Sequence, residues 1–252
     1  ARPRFFNVTT QQGTVRIDGN IDRQTNGSGN GSLLVKRGSG ILEINGNTTG
    51  GVYTALTFQG TSWRLDAGNL VVRTDLNLGG TIGTRTSMIN LNGGTLSATT
   101  ALTGANAVAN PVVIGGSPAI FQGSNSIELG NATASLALGA SRSLINNLSG
   151  ATLTIGGGGV VNSAASTLSI LGAGTTVFTA AYKAGTGANA LQMQGTGTLT
   201  LKADNLFTGA TTLNAGTTVL DTAGRFSTTS GITVNQGAIL TLDNNVGGNP
   251  AT

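Results

Sequence analysis

The chain has 252 residues, of which 41 are Gly and only 9% are charged; this composition excludes an ordinary helical domain but leaves enough length for a continuous core. It contains no Cys and no His, which excludes a disulfide framework, thiolate-bound metal and a catalytic triad that uses His. The net charge of +4 reflects a scarcity of acids more than a basic patch, so we do not expect binding to nucleic acid.

Two further properties of the whole sequence bear on its folding and its origin. The mean hydropathy is +0.14 and apolar residues recur in alternating patterns, so we expect an ordered chain, although Gly-rich polar sequences are often disordered. No run of about 18 apolar residues indicates a transmembrane helix. The chain begins at Ala1 without Met or a signal peptide, and we therefore expect a processed product or an excerpt of a longer precursor.

The opening segment, residues 1–12, fits no coil pattern. It combines two basic and two aromatic side chains in its first half: Arg2, Arg4, Phe5 and Phe6. The end of a solenoid exposes unpaired backbone and core side chains, so such a segment is predicted to be a cap. The alternative is a docking arm for a neighbouring subunit.

From Gly13 onward the sequence shows strand-like alternation, most clearly in a unit that occurs twice. Residues 34–44 and 191–201 share Leu, two Gly and the final apolar residues at a constant offset of 157 (191 − 34). In both copies apolar residues alternate on either side of a Gly-x-Gly turn, which predicts strand, sharp turn and strand. The polar, Gly-rich residues 24–32 are predicted to form a loop that leaves the solenoid.

A second recurring element is an apolar residue followed by Asn or Asp, any residue, and Gly. Asn and Asp bond to their own turn backbone, and Gly supplies a positive φ without a Cβ clash. We expect a turn at each occurrence, with the polar side chains of stacked coils aligned into a ladder. The polar residue and the Gly are Asp66 and Gly68, Asn92 and Gly94, Asn214 and Gly216, and Asn235 and Gly237.

The middle of the chain, residues 98–190, keeps short apolar strands but loses the clear motif. Two or three strands and their turns need about 21 to 26 residues per coil, so the chain supplies roughly ten coils. No linker or change in composition divides it. We therefore predict an all-β protein with one β-solenoid domain over residues 13–252.

Residues 34–44, their variant at 191–201 and the following residues 207–216 resemble the autotransporter-associated β-strand repeat of bacterial surface proteins. The resemblance is good over residues 191–243, loose over 17–97 and weak over 98–190. It implies a single right-handed parallel β-helix that is displayed or released outside the cell. It also implies roles in export, adhesion or surface structure. Met193, at the position of Lys36 in the first copy, is a mild departure from the motif.

Candidate catalytic residues are few. Some parallel β-helices carry glycosidase carboxylates on neighbouring coils, and two pairs have suitable spacing: Glu43 with Asp66 (66 − 43 = 23) and Asp221 with Asp243 (243 − 221 = 22). Three of the four are Asp at turns or strand ends, and no basic residue flanks the second pair, so we interpret them as solvated turn acids. The single Trp, Trp63, is either a sugar-stacking surface or, as we favour, a packing residue. We predict no catalytic site, cofactor or metal.

The functional hypothesis follows from architecture more than from chemistry. We predict a non-enzymatic structural or adhesive β-solenoid, outside the cell or on a bacterial surface. The alternative is a subunit of an extracellular filament that stacks head to tail. A weaker alternative is a carbohydrate-active enzyme. The partners that these hypotheses imply are further copies of the chain, or a glycan on a host or neighbouring cell surface.

Overall fold

The computed structural model describes residues 5–9, 12–17, 33–44, 62–78, 88–133 and 135–243. In this part the chain is nearly all β, with parallel strands stacked as a β-solenoid, which confirms the predicted fold class. The described part contains two short 3-10 turns, Asp75–Leu78 and Gly104–Asn106, and no helix with the length and apolar character that a bilayer crossing requires.

The strands form three long walls, each a parallel sheet. Wall A contains seven strands: β1 (Phe5–Thr9), β3 (Leu33–Arg37), β5 (Ser62–Leu65), β7 (Ile89–Leu91), β9 (Val112–Ile114), β12 (Leu136–Leu138) and β15 (Val160–Asn162). Wall B contains ten strands and runs the length of the described solenoid: β2 (Thr14–Ile17), β4 (Ile41–Ile44), β6 (Asn69–Val72), β8 (Thr95–Ala98), β10 (Ala119–Gly123), β13 (Arg142–Leu148), β16 (Thr167–Leu171), β18 (Ala190–Met193), β21 (Thr211–Leu213) and β24 (Ile232–Val234).

Among the described residues, the first strand of wall C lies midway along the solenoid. Its six strands are β11 (Ile127–Leu129), β14 (Thr152–Ile155), β17 (Thr175–Phe178), β19 (Thr198–Leu201), β22 (Thr217–Asp221) and β25 (Ile239–Asp243). A separate pair joins β20 (Asp204–Asn205) to β23 (Arg225–Phe226). With walls of seven, ten and six strands the stack has about eight turns, slightly fewer than the roughly ten that chain length predicts.

The alternation in the sequence produces the core. In β19, Leu199 and Leu201 are buried while Thr198 and Thr200 are half-buried. The register aligns the inward residues of successive coils, so that Leu201 lies between Phe178 of the preceding coil and Leu220 of the next. The buried residues form one continuous cluster along the stack. Each fully buried Leu stabilises the fold by about 2 kcal/mol.

Coil length changes along the chain. Wall B advances by 27 residues from Thr14 to Ile41 (41 − 14), but by 21 from Thr211 to Ile232 (232 − 211). The shorter coils coincide with the loss of wall A after β15. There Tyr182 bridges to Val160, and the place of further wall A strands is taken by the short pair of β20 and β23.

Three aromatic rings form a column on the side of the solenoid where wall A is absent after β15. The ring centroids of Tyr182 and Phe207 are 4.9 Å apart, and those of Phe207 and Phe226 are 5.9 Å apart in an edge-to-face arrangement. Asn205 joins the same coils, because its Oδ1 accepts a hydrogen bond from the Tyr182 N–H at 3.0 Å. Aromatic packing and side-chain amides thus close the C-terminal half where a regular sheet is absent.

The opening segment is described only in part. Phe5 and Phe6 begin β1, where they pair in register with Leu33 and Leu34 of β3. Arg2 and Arg4 lie outside the described residues. The role of residues 1–12 as a cap or as a docking arm stays a prediction.

Candidate functional site

The four turn motifs named from the sequence all lie at corners between walls. Asp66 and Asn92 follow strands of wall A and lead into wall B, whereas Asn214 and Asn235 follow strands of wall B and lead into wall C. Three of the motif glycines have a positive φ: Gly68 (68°), Gly216 (65°) and Gly237 (86°). At the Asn92 corner the positive φ falls on Gly93 instead, and Gly94 is closely approached by Leu65.

The polar residues of stacked corners are bonded to one another. Asn235 Nδ2 donates to Asn214 Oδ1 at 2.6 Å, and Asn92 Nδ2 donates to Asp66 Oδ1 at 3.0 Å. Each of these bonds joins one coil to the next. The motif residues therefore act as inter-coil ties at two different corners of the solenoid.

Asp66 is the most heavily bonded of these residues. Arg64 Nε and Nη2 donate to its two carboxylate oxygens at 2.7 Å each, and Arg37 Nε donates at 3.2 Å from the preceding coil. Burial opposes ionisation of Asp66, but the hydrogen bonds from Arg64, Asn92 and Arg37 together outweigh it and lower the pKa of this carboxyl group. The cluster holds three successive coils together.

Beneath this corner lies a fully buried ammonium group. Lys36 Nζ donates to the carbonyl oxygens of Arg37 at 2.7 Å and Gly38 at 2.8 Å, with a longer contact to Ala67 at 3.4 Å. Burial lowers the pKa of Lys36. Gly68 closes the space above, where any Cβ would collide with the carbonyl oxygens of Gly38 and Gly40.

Met193 occupies the equivalent place in the second copy of the unit. It precedes Gly195 and Gly197 as Lys36 precedes Gly38 and Gly40, and Gly216 of the next coil covers it. The first copy turns from wall A to wall B, and the second turns from wall B to wall C. The same corner structure thus occurs on two sides of the solenoid, with the charged side chain of Lys36 buried in one corner and the apolar side chain of Met193 buried in the other.

The two carboxylate pairs have separate structural partners. Glu43 lies on wall B, 4.0 Å from Arg16, whereas Asp66 is bound at the corner described above. Asp221 and Asp243 are stacked in register at the ends of β22 and β25. The expectation that no basic residue flanks this second pair is wrong: Lys202, one coil earlier, contacts Asp221 at 3.0 Å. Its hydrogen bond is the largest influence on Asp221 and lowers the pKa of that carboxyl group.

Trp63 is a core residue. It lies on β5 with 2% of its surface exposed, between Leu34 and Ile89 of the neighbouring wall A strands. A ring in this position cannot stack on a sugar from solvent, which decides between the two interpretations in favour of packing. Within the described ranges, no group of three or more His, Cys, Asp or Glu side chains comes together in a way that could hold a metal ion.

The last described coil presents apolar side chains at inward positions. Ile232 and Val234 pair in register with Thr211 and Leu213, which are buried, yet each is 46% exposed. Leu242, in line with buried Leu220, is 66% exposed. Within the described residues, wall B and wall C therefore both end in β-strands with an apolar inward edge.

One surface was missed by the sequence reasoning: the outer face of wall C from β14 to β25. The first two outward positions of each strand are all Thr, Val or Ile, in five rows of two: Thr152 and Thr154, Thr175 and Val177, Thr198 and Thr200, Thr217 and Val219, Ile239 and Thr241. We call this surface the threonine array. The signal in the sequence was the Thr-Leu-Thr pattern that recurs at residues 152–154 and 198–200.

Comparison with known proteins adds no relative: no family model, no curated protein and no solved structure matches this chain. The resemblance to the autotransporter-associated repeat stays a prediction.

Proposed function

We propose that this chain is a non-enzymatic structural or adhesive rod of a bacterial surface protein. The observation that carries the proposal is wall B, an unbroken parallel sheet of ten strands from Thr14–Ile17 to Ile232–Val234. At about 4.8 Å between strands it gives a rod about 45 Å long. A stiff spacer of this kind is what a surface stalk requires.

The polar side chains support the same proposal, because many of them tie coil to coil. Arg37 reaches Asp66, Lys202 reaches Asp221, and Asn235 reaches Asn214, each across one coil boundary. Buried amides do the same in the interior, as Asn146 Nδ2 donates to the carbonyl oxygen of Thr175 at 2.8 Å. These side chains resist separation of the coils, which suits a structural role outside the cell.

Three measurements test this proposal. Small-angle scattering and negative-stain electron microscopy of the purified chain should show a rod with roughly the length given above. Incubation with a panel of bacterial and plant polysaccharides should release no new reducing ends. Antibodies against the chain should label intact cells of the producing bacterium; labelling only after lysis, or release of sugar, would refute the corresponding part of the proposal.

The exposed apolar side chains of the last described coil favour a second candidate, a filament subunit. Val234 and its neighbours would be covered if β2 of another copy continued wall B beyond β24, since among the described residues both are edge strands of the same parallel sheet. A contact between different surfaces of identical subunits propagates without closing.

Polymerisation of purified protein tests the second candidate. Light scattering and electron microscopy at rising concentration should show fibres, and Val234→Lys should abolish them by placing a charge on the inward edge. Thr233→Lys, at the outward position beside it, is the matched control and should leave assembly intact. Wild-type protein that stays monomeric at high concentration contradicts the filament hypothesis and leaves the single rod.

A further inference from the structure

We propose that the threonine array on wall C is a binding surface for the ordered water lattice of ice. The inference goes beyond the structural role and does not depend on it. It starts from the chemistry of the first two outward positions on each strand from β14 to β25, where every side chain is β-branched and none carries a charge; Asp221 and Asp243, at the third outward position of β22 and β25, border this surface.

The positions of these side chains are set by the backbone. The five strands pair residue for residue without a shift, so Thr152, Thr175, Thr198 and Thr217 lie in one column across four coils. Neighbouring strands are about 4.8 Å apart, and alternate residues along a strand are about 6.6 Å apart. The array is therefore a rectangular grid. Ice binding requires that these two repeats match distances between water oxygens on a face of the crystal.

The side chains themselves are stiff. A β-branched residue has a restricted χ1, so its hydroxyl and methyl groups hold fixed directions with little further loss of entropy on binding. Each Thr hydroxyl can donate one hydrogen bond and accept two, which is the bonding pattern of a water molecule at a surface. The methyl groups between the hydroxyls offer no bond, so water above them must bond to its own neighbours.

The hydroxyl groups are available to solvent. Across the described part of the chain, no side-chain hydrogen bond uses the Oγ1 atoms of the array, including those of Thr198 and Thr200. By contrast, Thr179, just outside the array, donates its hydroxyl to the carbonyl oxygen of Ile155 at 3.4 Å. Charged groups lie at the border, where Lys202 and Asp221 form an ion pair.

Other ligand classes fit this surface poorly. Tight protein partners use aromatic and Arg anchors, and the array has neither. Soluble sugars are bound by aromatic rings that stack on them, and none of the ten positions is aromatic. A periodic solid differs, because many weak contacts at matched spacing add up along the whole grid.

Ice growth in the presence of the purified chain tests this proposal. Wild-type protein should shape ice crystals into facets and lower the freezing point below the melting point. Thr198→Lys and Thr200→Lys, each in the middle of the array, should lose most of that gap, because a long charged side chain interrupts the grid. Thr212→Lys is the matched control: Thr212 is a half-buried, outward Thr on wall B, between Gln192 and Thr233.

Circular dichroism should show the same β content in all four proteins, since the substituted side chains point away from the core. Round ice discs and no freezing gap with wild-type protein would overturn the proposal. Equal loss in the Thr212→Lys control would overturn it as well, because the effect would then not belong to wall C. Sedimentation with insoluble cellulose or chitin, without any effect on ice, would assign the array to a crystalline polysaccharide and would also overturn it.

Discussion

Lys36 and Met193 fill the same pocket in two copies of one corner, although one side chain ends in an ammonium group and the other in a methyl group. Lys36 Nζ bonds to the carbonyl oxygens of Arg37 and Gly38. Met193 Cε lies 3.0 Å from where a Cβ of Gly216 would be, in the corresponding place. The corner therefore accommodates a buried side chain of this length whether or not the side chain carries a charge.

The first prediction concerns replacement of the buried Lys36 side chain. Lys36→Met should change the free energy of unfolding by less than about 1.5 kcal/mol, because a side chain of similar volume keeps the packing. Lys36→Ala should cost about 2 to 4 kcal/mol, because it leaves a cavity beneath the Asp66 corner. Urea denaturation measures both. Equal losses in the two variants would show that charge, and not volume, supports the corner.

The same residue predicts a pH dependence. Burial lowers the pKa of Lys36 below its ordinary value of 10.5, so between the two values the unfolded chain binds more protons than the folded chain. Stability should therefore rise with pH in that window, relative to Lys36→Met, which has no such group. Urea denaturation of both proteins at about pH 8 and about pH 10 provides the comparison. A constant difference would contradict the lowered pKa.

Gly216 gives a prediction about the corners themselves. Its φ is +65°, and a Cβ there would lie 2.5 Å from the carbonyl oxygens of Gly195 and Gly197 in the preceding coil. Gly216→Ala should destabilise the fold by more than about 2 kcal/mol, since left-handed strain and a backbone clash act together. Gly231→Ala is the control, because a Cβ at Gly231 meets nothing within 4 Å. Similar effects at both sites would refute the role of the close approach.

Asp66 should contribute stability that is lost in acid. Its pKa is lowered in the folded state, so the contribution is present above the ordinary pKa of 3.8 and disappears as pH falls through the folded value. Asp66→Asn should cost about 1 to 2 kcal/mol near neutral pH, because charge-assisted hydrogen bonds to Arg64 and Arg37 are weakened. Asp221→Asn, whose carboxylate is tied mainly to Lys202, should cost less. The reverse order in urea denaturation would contradict this assignment.

The sequence predicted the parts of the fold that depend on short-range patterns. Alternation in residues 198–201 predicts a strand with one buried face, and the Gly after Asn214 predicts the sharp turn; both are present. Which two walls each corner joins was not predictable from these short-range patterns. The two copies at residues 34–44 and 191–201 look alike, yet the first turns from wall A to wall B and the second from wall B to wall C; wall A is present beside the first copy, whereas the aromatic column takes its place beside the second.

The aromatic column shows why the rest was missed. Tyr182, Phe207 and Phe226 are 25 and 19 residues apart (207 − 182; 226 − 207), and no strand-like alternation connects them. Only the stacking of the coils brings the rings together. The threonine array was missed for a similar reason, because its columns run across coils of different length, and register between coils is a tertiary property.

Tyr182 supplies the last prediction. Burial raises the pKa of its phenol to about 12, although Asn162 Nδ2 donates a hydrogen bond to the oxygen at 2.7 Å. Between pH 10.0, the ordinary pKa, and about pH 12, the phenol therefore stays protonated in the folded state but loses its proton in the unfolded chain. The stability that Tyr182 contributes is complete below pH 10 and is lost as the pH rises through that interval. In Tyr182→Phe this part of the alkaline destabilisation should vanish, at a cost near neutral pH of about 1 kcal/mol from the lost hydrogen bond.

Two measurements distinguish the effect of the raised Tyr182 pKa from the effect of lost packing. Urea denaturation at rising pH should show the stability of wild-type protein falling faster than that of Tyr182→Phe above pH 10. Tyrosinate absorbance of the folded protein should show that the group removed by Tyr182→Phe titrates late, since the chain has two Tyr in all. If that group titrates near pH 10 in the folded protein, the phenol is reached by water and the aromatic column is open on this side of the solenoid.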